Sequence, residues 1–147
     1  MAIRRTAWLA LAAGVVVLGG IVACSPLGTL NALSPGKSLK AKADVPYGDN
    51  ARHKLDVYTP EKGGSDAPVV VFFYGGTWAK GDRADYAFVG RALAAKGYVV
   101  VIPDYRLYPE VTYPSFLQDS AMAVAWTARE IATVSYTHLT QPTILLV

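Results

Sequence analysis

Cysteine occurs once in the 147 residues, at Cys24, so no disulfide can close within the chain. Histidine occurs twice, at His53 and His138, and neither stands at ligand spacing from cysteine or carboxylates. That leaves no pattern for a metal. The glycine turns that cradle nucleotide phosphates, Gly-x-Gly-x-x-Gly and Gly-x-x-x-x-Gly-Lys-Ser/Thr, are absent too, so no cofactor is implied. A strong charge imbalance is also missing. The formal charge is +3, from 14 basic and 11 acidic residues, and two of the bases, Arg4 and Arg5, lie in an acid-free leader. Without them twelve bases face 11 acids, which gives no reason to expect nucleic acid or another polyanion as partner. Lys37, Lys40 and Lys42 read as a solvated linker.

What the chain does have is hydrophobicity, 52% of its residues, and one stretch organises it. Val69-Val70-Val71-Phe72-Phe73-Tyr74 is uninterrupted in its apolar character and stops at Gly75-Gly76-Thr77-Trp78. Unbroken apolarity of this length suits a strand buried on both faces, as in a parallel sheet. The two glycines let the backbone turn sharply. Gly81-Asp82 form a break and an N-cap before a helix that ends near Lys96, with Gly97 at its C-terminal turn. Tyr98 to Ile102 is a second buried run. The order strand, glycine turn, helix, strand is a βαβ unit, and ligands of such sheets bind at the carboxyl ends of the strands.

Three blocks carry a family resemblance. Phe73-Tyr74-Gly75-Gly76-Thr77-Trp78 resembles the Phe-His-Gly-Gly-Gly-Trp oxyanion loop of α/β-hydrolases of the esterase/lipase kind. Asp104-Tyr105-Arg106-Leu107-Tyr108-Pro109-Glu110 resembles their Asp-Tyr-Arg-Leu-x-Pro-Glu block, and Leu55-Asp56-Val57-Tyr58 with Pro60 their early strand. The relatives implied are carboxylesterases, hormone-sensitive-lipase-like enzymes and bacterial feruloyl-esterase-like enzymes. The resemblance runs over about residues 44–132. It implies the α/β fold class and the N-terminal part of an α/β-hydrolase, truncated, with a mostly parallel sheet and flanking helices. The whole family fold needs a considerably longer chain. A nucleotide-binding Rossmann domain is the rival reading of the same βαβ unit.

The N-terminus reads as an address. Residues 1–23 have a basic start and an apolar run, the pattern of a secretory signal. Ile21-Val22-Ala23-Cys24 resembles a bacterial lipobox, which implies lipidation of Cys24 and export to the cell envelope. Ser25 after it, by resemblance to the Gram-negative sorting rule, favours the outer membrane over the inner. An uncleaved membrane anchor is the alternative, because the run is about long enough to span a bilayer. Residues 24–43, rich in proline, glycine, serine and asparagine, read as a tether.

Residues 44–133 are then the hydrolase part, with four strands and two helices. Strands are expected at Val45 to Tyr47, Lys54 to Tyr58 and the two buried runs. The first helix should bury Tyr86, Val89 and Leu93. The second starts at Pro114, runs to about Ala132, and should bury Leu117, Ala121, Val124, Ala128 and Ile131. From 134 to 147 the text departs from the family pattern and resembles a translated adapter, a non-native tail; a genuine strand at Ile144 to Val147 competes with that reading. With the nucleophile-bearing strand missing, the sheet edge beside the third strand should be bare and prone to association.

The resemblance implies chemistry through an acyl-serine, with a histidine as base and an acid orienting it. The oxyanion hole falls on Gly75, Gly76 and Thr77, where the N–H groups of Gly76 and Thr77 are the donors and Gly75 allows the turn. A tight βα turn with no catalytic part is the alternative for these glycines. No serine stands in Gly-x-Ser-x-Gly, so the triad is expected downstream and this chain alone should be inactive. Ser115, Ser120 and Ser135 are not nucleophile positions, and His53 reads as a surface residue. Asp104, set to pair with Arg106, and Asp119 read as structural. Two functions follow: part of a lipid-anchored serine carboxylesterase acting on small esters, or a non-catalytic surface lipoprotein using the fold for binding. A peptidase or lactone hydrolase stays open within the superfamily.

Overall fold

A computed structural model of the protein describes residues 26–34, 40–61, 67–135 and 144–146. The leader expected over 1–23 and Cys24, the expected lipidation site, lie outside the described residues. The chain divides into two compact units, Met1–Leu33 and Ser34–Val147. In the first, helix α1 spans Pro26–Leu33, with proline where its missing N–H costs nothing. The stretch expected as tether therefore contains a helix, although α1 buries none of its residues.

The second unit is one mixed sheet with helices. Its strands are β1 (Lys40–Pro46), β2 (Lys54–Thr59), β3 (Val69–Val71), β4 (Val99–Pro103) and β5 (Ile144–Leu146), in the order β1-β2-β4-β3-β5. The β4-β3-β5 part is parallel, and β2 and β1 are added antiparallel beyond β4. Central β4 is buried at every residue, as its unbroken valine run requires. Its side chains alternate between two cores. Val99 and Val101 join Leu55, Val57, Val69, Val71, Ala123 and Ile131 on one face; Val100 and Ile102 join Tyr58, Tyr74, Ala94 and Tyr105 on the other. A fully buried valine or isoleucine contributes about 1.5–3 kcal/mol, and Val99, Val100, Val101 and Ile102 of β4 are all fully buried.

The first helical stretch begins where the sequence puts it. The Asp82 carboxylate accepts the Ala84 N–H at 2.9 Å, capping a 3₁₀ turn over Arg83–Tyr86 that continues into α2, Ala87–Ala94. Gly97 takes a left-handed φ of 94°, and the chain reverses into β4. The buried face agrees only in part with the expected one: Tyr86 and Leu93 pack, partly buried, against the second core. Gly90 and Ala94 are the buried residues of α2, and a Cβ on Gly90 would come within 2.4 Å of the Tyr58 ring. Close helix-to-sheet approach selects the smallest residues for the contact line. Val89 is displaced to an open apolar groove of about 430 Å³ beside Val70 and Phe72.

The second helix, α3, spans Ser115–Ser135. Its buried face is Phe116, Asp119, Ala123, Thr127 and Ile131, a stripe at helical spacing. Of the expected stripe only Ile131 is buried; Val124 is half-buried, Ala121 and Ala128 are exposed, and Leu117 is 43% exposed. The cause is polar pairing. Asp119 is buried by its ion pair with Arg106 and its contact with His53, and the Thr127 hydroxyl donates back to the Ala123 carbonyl at 2.8 Å, so two residues that look outward-facing sit inside.

The edge beside β3, expected to be bare, is covered. Ile144–Leu146 pairs in parallel with Val69–Val71, register Val69↔Ile144. An apolar tripeptide there satisfies backbone groups that an open edge would present to solvent.

Candidate active site

The glycine loop leaves β3 at its carboxyl end and returns at Gly81. Phe72 N–H still donates to Val101 O at 2.8 Å, which carries the chain straight to Tyr74 before it turns. The turn then falls on Gly76, Thr77 and Trp78, with φ of 143°, 55° and 61°. Gly76 is the indispensable glycine: a Cβ there would lie 1.9 Å from the Lys80 carbonyl oxygen. Gly75 does not have a positive φ, and a Cβ on it would meet nothing within 4 Å. The conformational need expected at Gly75 thus belongs to its neighbour.

The Gly76 carbonyl folds the loop on itself. It accepts the N–H groups of Ala79 and Lys80 at 3.1 and 3.2 Å and the Thr77 hydroxyl at 2.7 Å. Among the described residues, the N–H groups of Gly76 and Thr77 have no acceptor. Backbone N–H groups left open in a loop of consecutive left-handed residues can hydrogen-bond an anion. Thr77 and Trp78 hold left-handed dihedrals without being glycine, at a cost of about 1–2 kcal/mol each. Trp78 is kept there by stacking on Phe116 at 4.6 Å and by its carbonyl, which accepts the Tyr108 N–H at 2.7 Å.

Behind the loop stands Tyr74, at the position of the family histidine and only 2% exposed. Its ring is sandwiched between Tyr86 and Tyr105 at centroid distances of 5.4 and 5.0 Å. Its hydroxyl donates to Asp104 Oδ1 and accepts from Arg52 Nη2 at 2.9 Å. Burial, and then the bond to the Asp104 carboxylate, push this phenol far above its ordinary pKa, so it remains a donor. Its carbonyl accepts the Tyr105 hydroxyl at 2.6 Å.

Asp104 is a hub, and its partner is not the expected Arg106. Its carboxylate receives the Arg83 backbone N–H at 2.9 Å and the Arg83 guanidinium, whose Nε also reaches Asp56 at 2.8 Å. A third branch of Arg83 pairs with Asp44, a left-handed residue at the irregular register of β1. Burial pulls the Arg83 pKa down, but the hydrogen bonds and charges of Asp56 and Asp104 outweigh it and keep the cation firmly charged. Strand pairing decides this choice of partner: β2 beside β4 brings Asp56 and Asp104 to one end of the sheet, under the start of the helix.

Arg106 is occupied elsewhere. Its Nη2 and Nε bind the two oxygens of Asp119 at 2.6 and 2.8 Å, and its amide adds a third bond at 3.0 Å. Asp119 Oδ1 also meets His53, whose Nε2 lies 3.1 Å from it. His53, expected at the surface, is 6% exposed; its ring stacks on Tyr47 and its Nδ1 accepts the Asn50 N–H. An isolated histidine before a strand gives no local sign of burial, because Asp119 arrives from α3. Of the three serines set aside in the sequence, the Ser120 hydroxyl donates to the Phe116 carbonyl, Ser115 opens α3 and Ser135 ends it.

Burial raises the Asp119 carboxyl, but Arg106 and His53 more than offset this and hold its pKa below the ordinary carboxylate range. A lowered folded pKa means the unfolded chain binds protons first, so stability is present above about pH 4 and is lost as pH falls through the folded value. In urea titrations the stability gap between wild type and Asp119→Asn should narrow below about pH 4. A constant gap from pH 7 to 3 would show that Asp119 is not the linked group.

The sequence profile of the BD-FAE family matches residues 55–140, beyond the end of the resemblance read at 132. A probable isoprenylcysteine alpha-carbonyl methylesterase of Oryza sativa is 36% identical over 87 residues, 59% of this chain and 21% of that protein. Esterase LipC of Mycobacterium tuberculosis is 41% identical over 88 residues, 56% of this chain and 21% of that protein. Among solved structures, esterase B of Lactobacillus rhamnosis superposes with a TM-score of 0.72 at 26% identity, covering 93% of this chain and 44% of that one. The chain thus spans about a fifth of the length of these curated relatives and under half of the solved esterase. The partial sheet with its flanking helices is an α/β-hydrolase fold, and the chain belongs to the BD-FAE family.

Proposed function

We propose that this chain is the N-terminal part of a lipid-anchored serine hydrolase, a carboxylesterase that cleaves small carboxylic esters through an acyl-serine. One observation carries the reading: the Gly76 and Thr77 amides, free of acceptors among the described residues, in a loop that only glycine at 76 permits. The esterase names of the relatives support the substrate class.

In this reading a serine supplied downstream attacks the ester carbonyl carbon while a histidine takes its proton. Charge builds on the carbonyl oxygen, and the Gly76 and Thr77 N–H groups meet it. The C–O bond to the alcohol then breaks, with the histidine returning the proton to the departing oxygen, and water hydrolyses the acyl-serine by the same route. Each oxyanion donor is worth about 2.7–4 kcal/mol in the transition state. Asp104 and Asp119 hold structure and take no part in proton transfer.

The full reading frame is the material for the test. It should hydrolyse a short-chain nitrophenyl ester, and a phosphonate should form an adduct on a serine in a downstream Gly-x-Ser-x-Gly. A folded protein with neither activity nor adduct would favour the non-catalytic binding lipoprotein. Anchoring is tested separately. In a bacterial host, Cys24→Ala should accumulate as an unprocessed precursor without lipid label; equal labelling of both forms would remove the anchor from the proposal.

A further inference from the structure

Arg52 lies on the turn between β1 and β2, and no feature of the family motifs points to it. Its guanidinium nevertheless touches both ends of the glycine loop. Nη2 donates to the Tyr74 hydroxyl and to the Gly81 carbonyl, each at 2.9 Å, and Nε donates to the Tyr105 carbonyl at 2.8 Å. Tyr74 is the residue before the loop and Gly81 the residue that closes it. The ends themselves are in contact, for a Cβ on Gly81 would lie 2.6 Å from the Tyr74 ring. The arginine's own backbone is set by its N–H on Asn50 Oδ1 at 2.8 Å.

We propose that Arg52 is a positioning residue for the oxyanion loop, acting through Tyr74 and Gly81 to fix where the Gly76 and Thr77 amides stand. This rests on the esterase reading above. A rigid fork is what the geometry demands, because three acceptors on three segments are met by two nitrogens in one plane. Lysine has one nitrogen on a flexible stem and cannot span them. Tyr74 in place of the family histidine matches this arrangement, since its hydroxyl extends far enough to meet both Arg52 and Asp104.

The test compares wild type, Arg52→Met, Arg52→Lys and Gly76→Pro in the full-length protein, with two readouts. The first is steady-state hydrolysis of a short-chain nitrophenyl ester. Arg52→Met and Arg52→Lys should lose on the order of ten- to a hundredfold in kcat, as small displacements of catalytic groups do, with KM changed less than about twofold. The second is hydrogen exchange. The Ala79 and Lys80 amides, both bonded to the Gly76 carbonyl, should exchange at least about tenfold faster, while Val100 and Val101 amides stay as slow as in wild type.

Loss of kcat together with loop-confined exchange supports the proposal. Normal kcat and normal loop exchange in a folded Arg52→Met overturn it, and if Gly76→Pro is still crippled the esterase reading stands alone. Near-normal turnover in Gly76→Pro overturns both, whatever Arg52→Met does to the loop. If Arg52→Met loosens Val100 as well and so fails to fold, Arg52→Lys, which keeps the charge, decides by the same two readouts.

Discussion

On the proposed esterase reading, Gly76→Pro in the full-length protein is expected to lower kcat by about a hundredfold to a thousandfold on a short-chain nitrophenyl ester. Proline deletes one of the two proposed donors and fixes φ near −65°, whereas Gly76 sits at 143°. A ring at this position also has no space, because the Lys80 carbonyl oxygen lies 1.9 Å from the site of the first side-chain carbon. Donor loss and loop displacement therefore act in the same direction. Thr77→Gly is the control. It keeps the N–H, matches the commoner family pattern, and removes a left-handed threonine, so kcat should stay near normal and the thermal midpoint should not fall. A folded Gly76→Pro enzyme with near-normal turnover would reduce the loop to a turn and end the oxyanion assignment. Thermal melts of each variant, taken beside the rates, separate that result from misfolding.

Arg83→Met is expected to cost about 3–5 kcal/mol of unfolding free energy at neutral pH, the scale for removing one partner from a buried charge network. The Arg83 side chain is 13% exposed, and it faces Asp104 at 3% and Asp56 at 10%. Both carboxylates would be left with less compensation, although Arg52 Nη2 stays 3.6 Å from Asp104. Asp44, the third partner, is 64% exposed, so Asp44→Ala should cost no more than about 1 kcal/mol. Adding Asp56→Asn to Arg83→Met should recover part of the loss, because it neutralises one stranded carboxylate. Denaturant titrations of the four proteins measure all of this. A loss under about 1 kcal/mol for Arg83→Met would show that solvent or Arg52 takes over its role.

Local rules determined the elements of this protein, and tertiary contacts determined their faces and partners. The valine run of β4, the Asp82 cap, the reversal at Gly97 and the start of α3 after Pro114 were legible because backbone dihedrals, capping and continuous burial act within a few residues. The glycine loop was legible as a sharp turn for a similar reason, although only its dihedrals showed that Gly76 rather than Gly75 carries it. The face of α3 was not legible. A count of apolar residues turns Asp119 outward, and it lies inside only because Arg106 and His53 converge on it from other segments. Asp104 likewise met Arg83 and Tyr74 instead of nearby Arg106, since pairing of β2 with β4 and the return of the loop set which charges meet. Arg52 illustrates the limit most clearly. Its guanidinium bonds to Tyr74 and Gly81, which are 22 and 29 residues away along the chain. A charged group finds its partner by distance in space at low dielectric, and no spacing along a sequence encodes that distance.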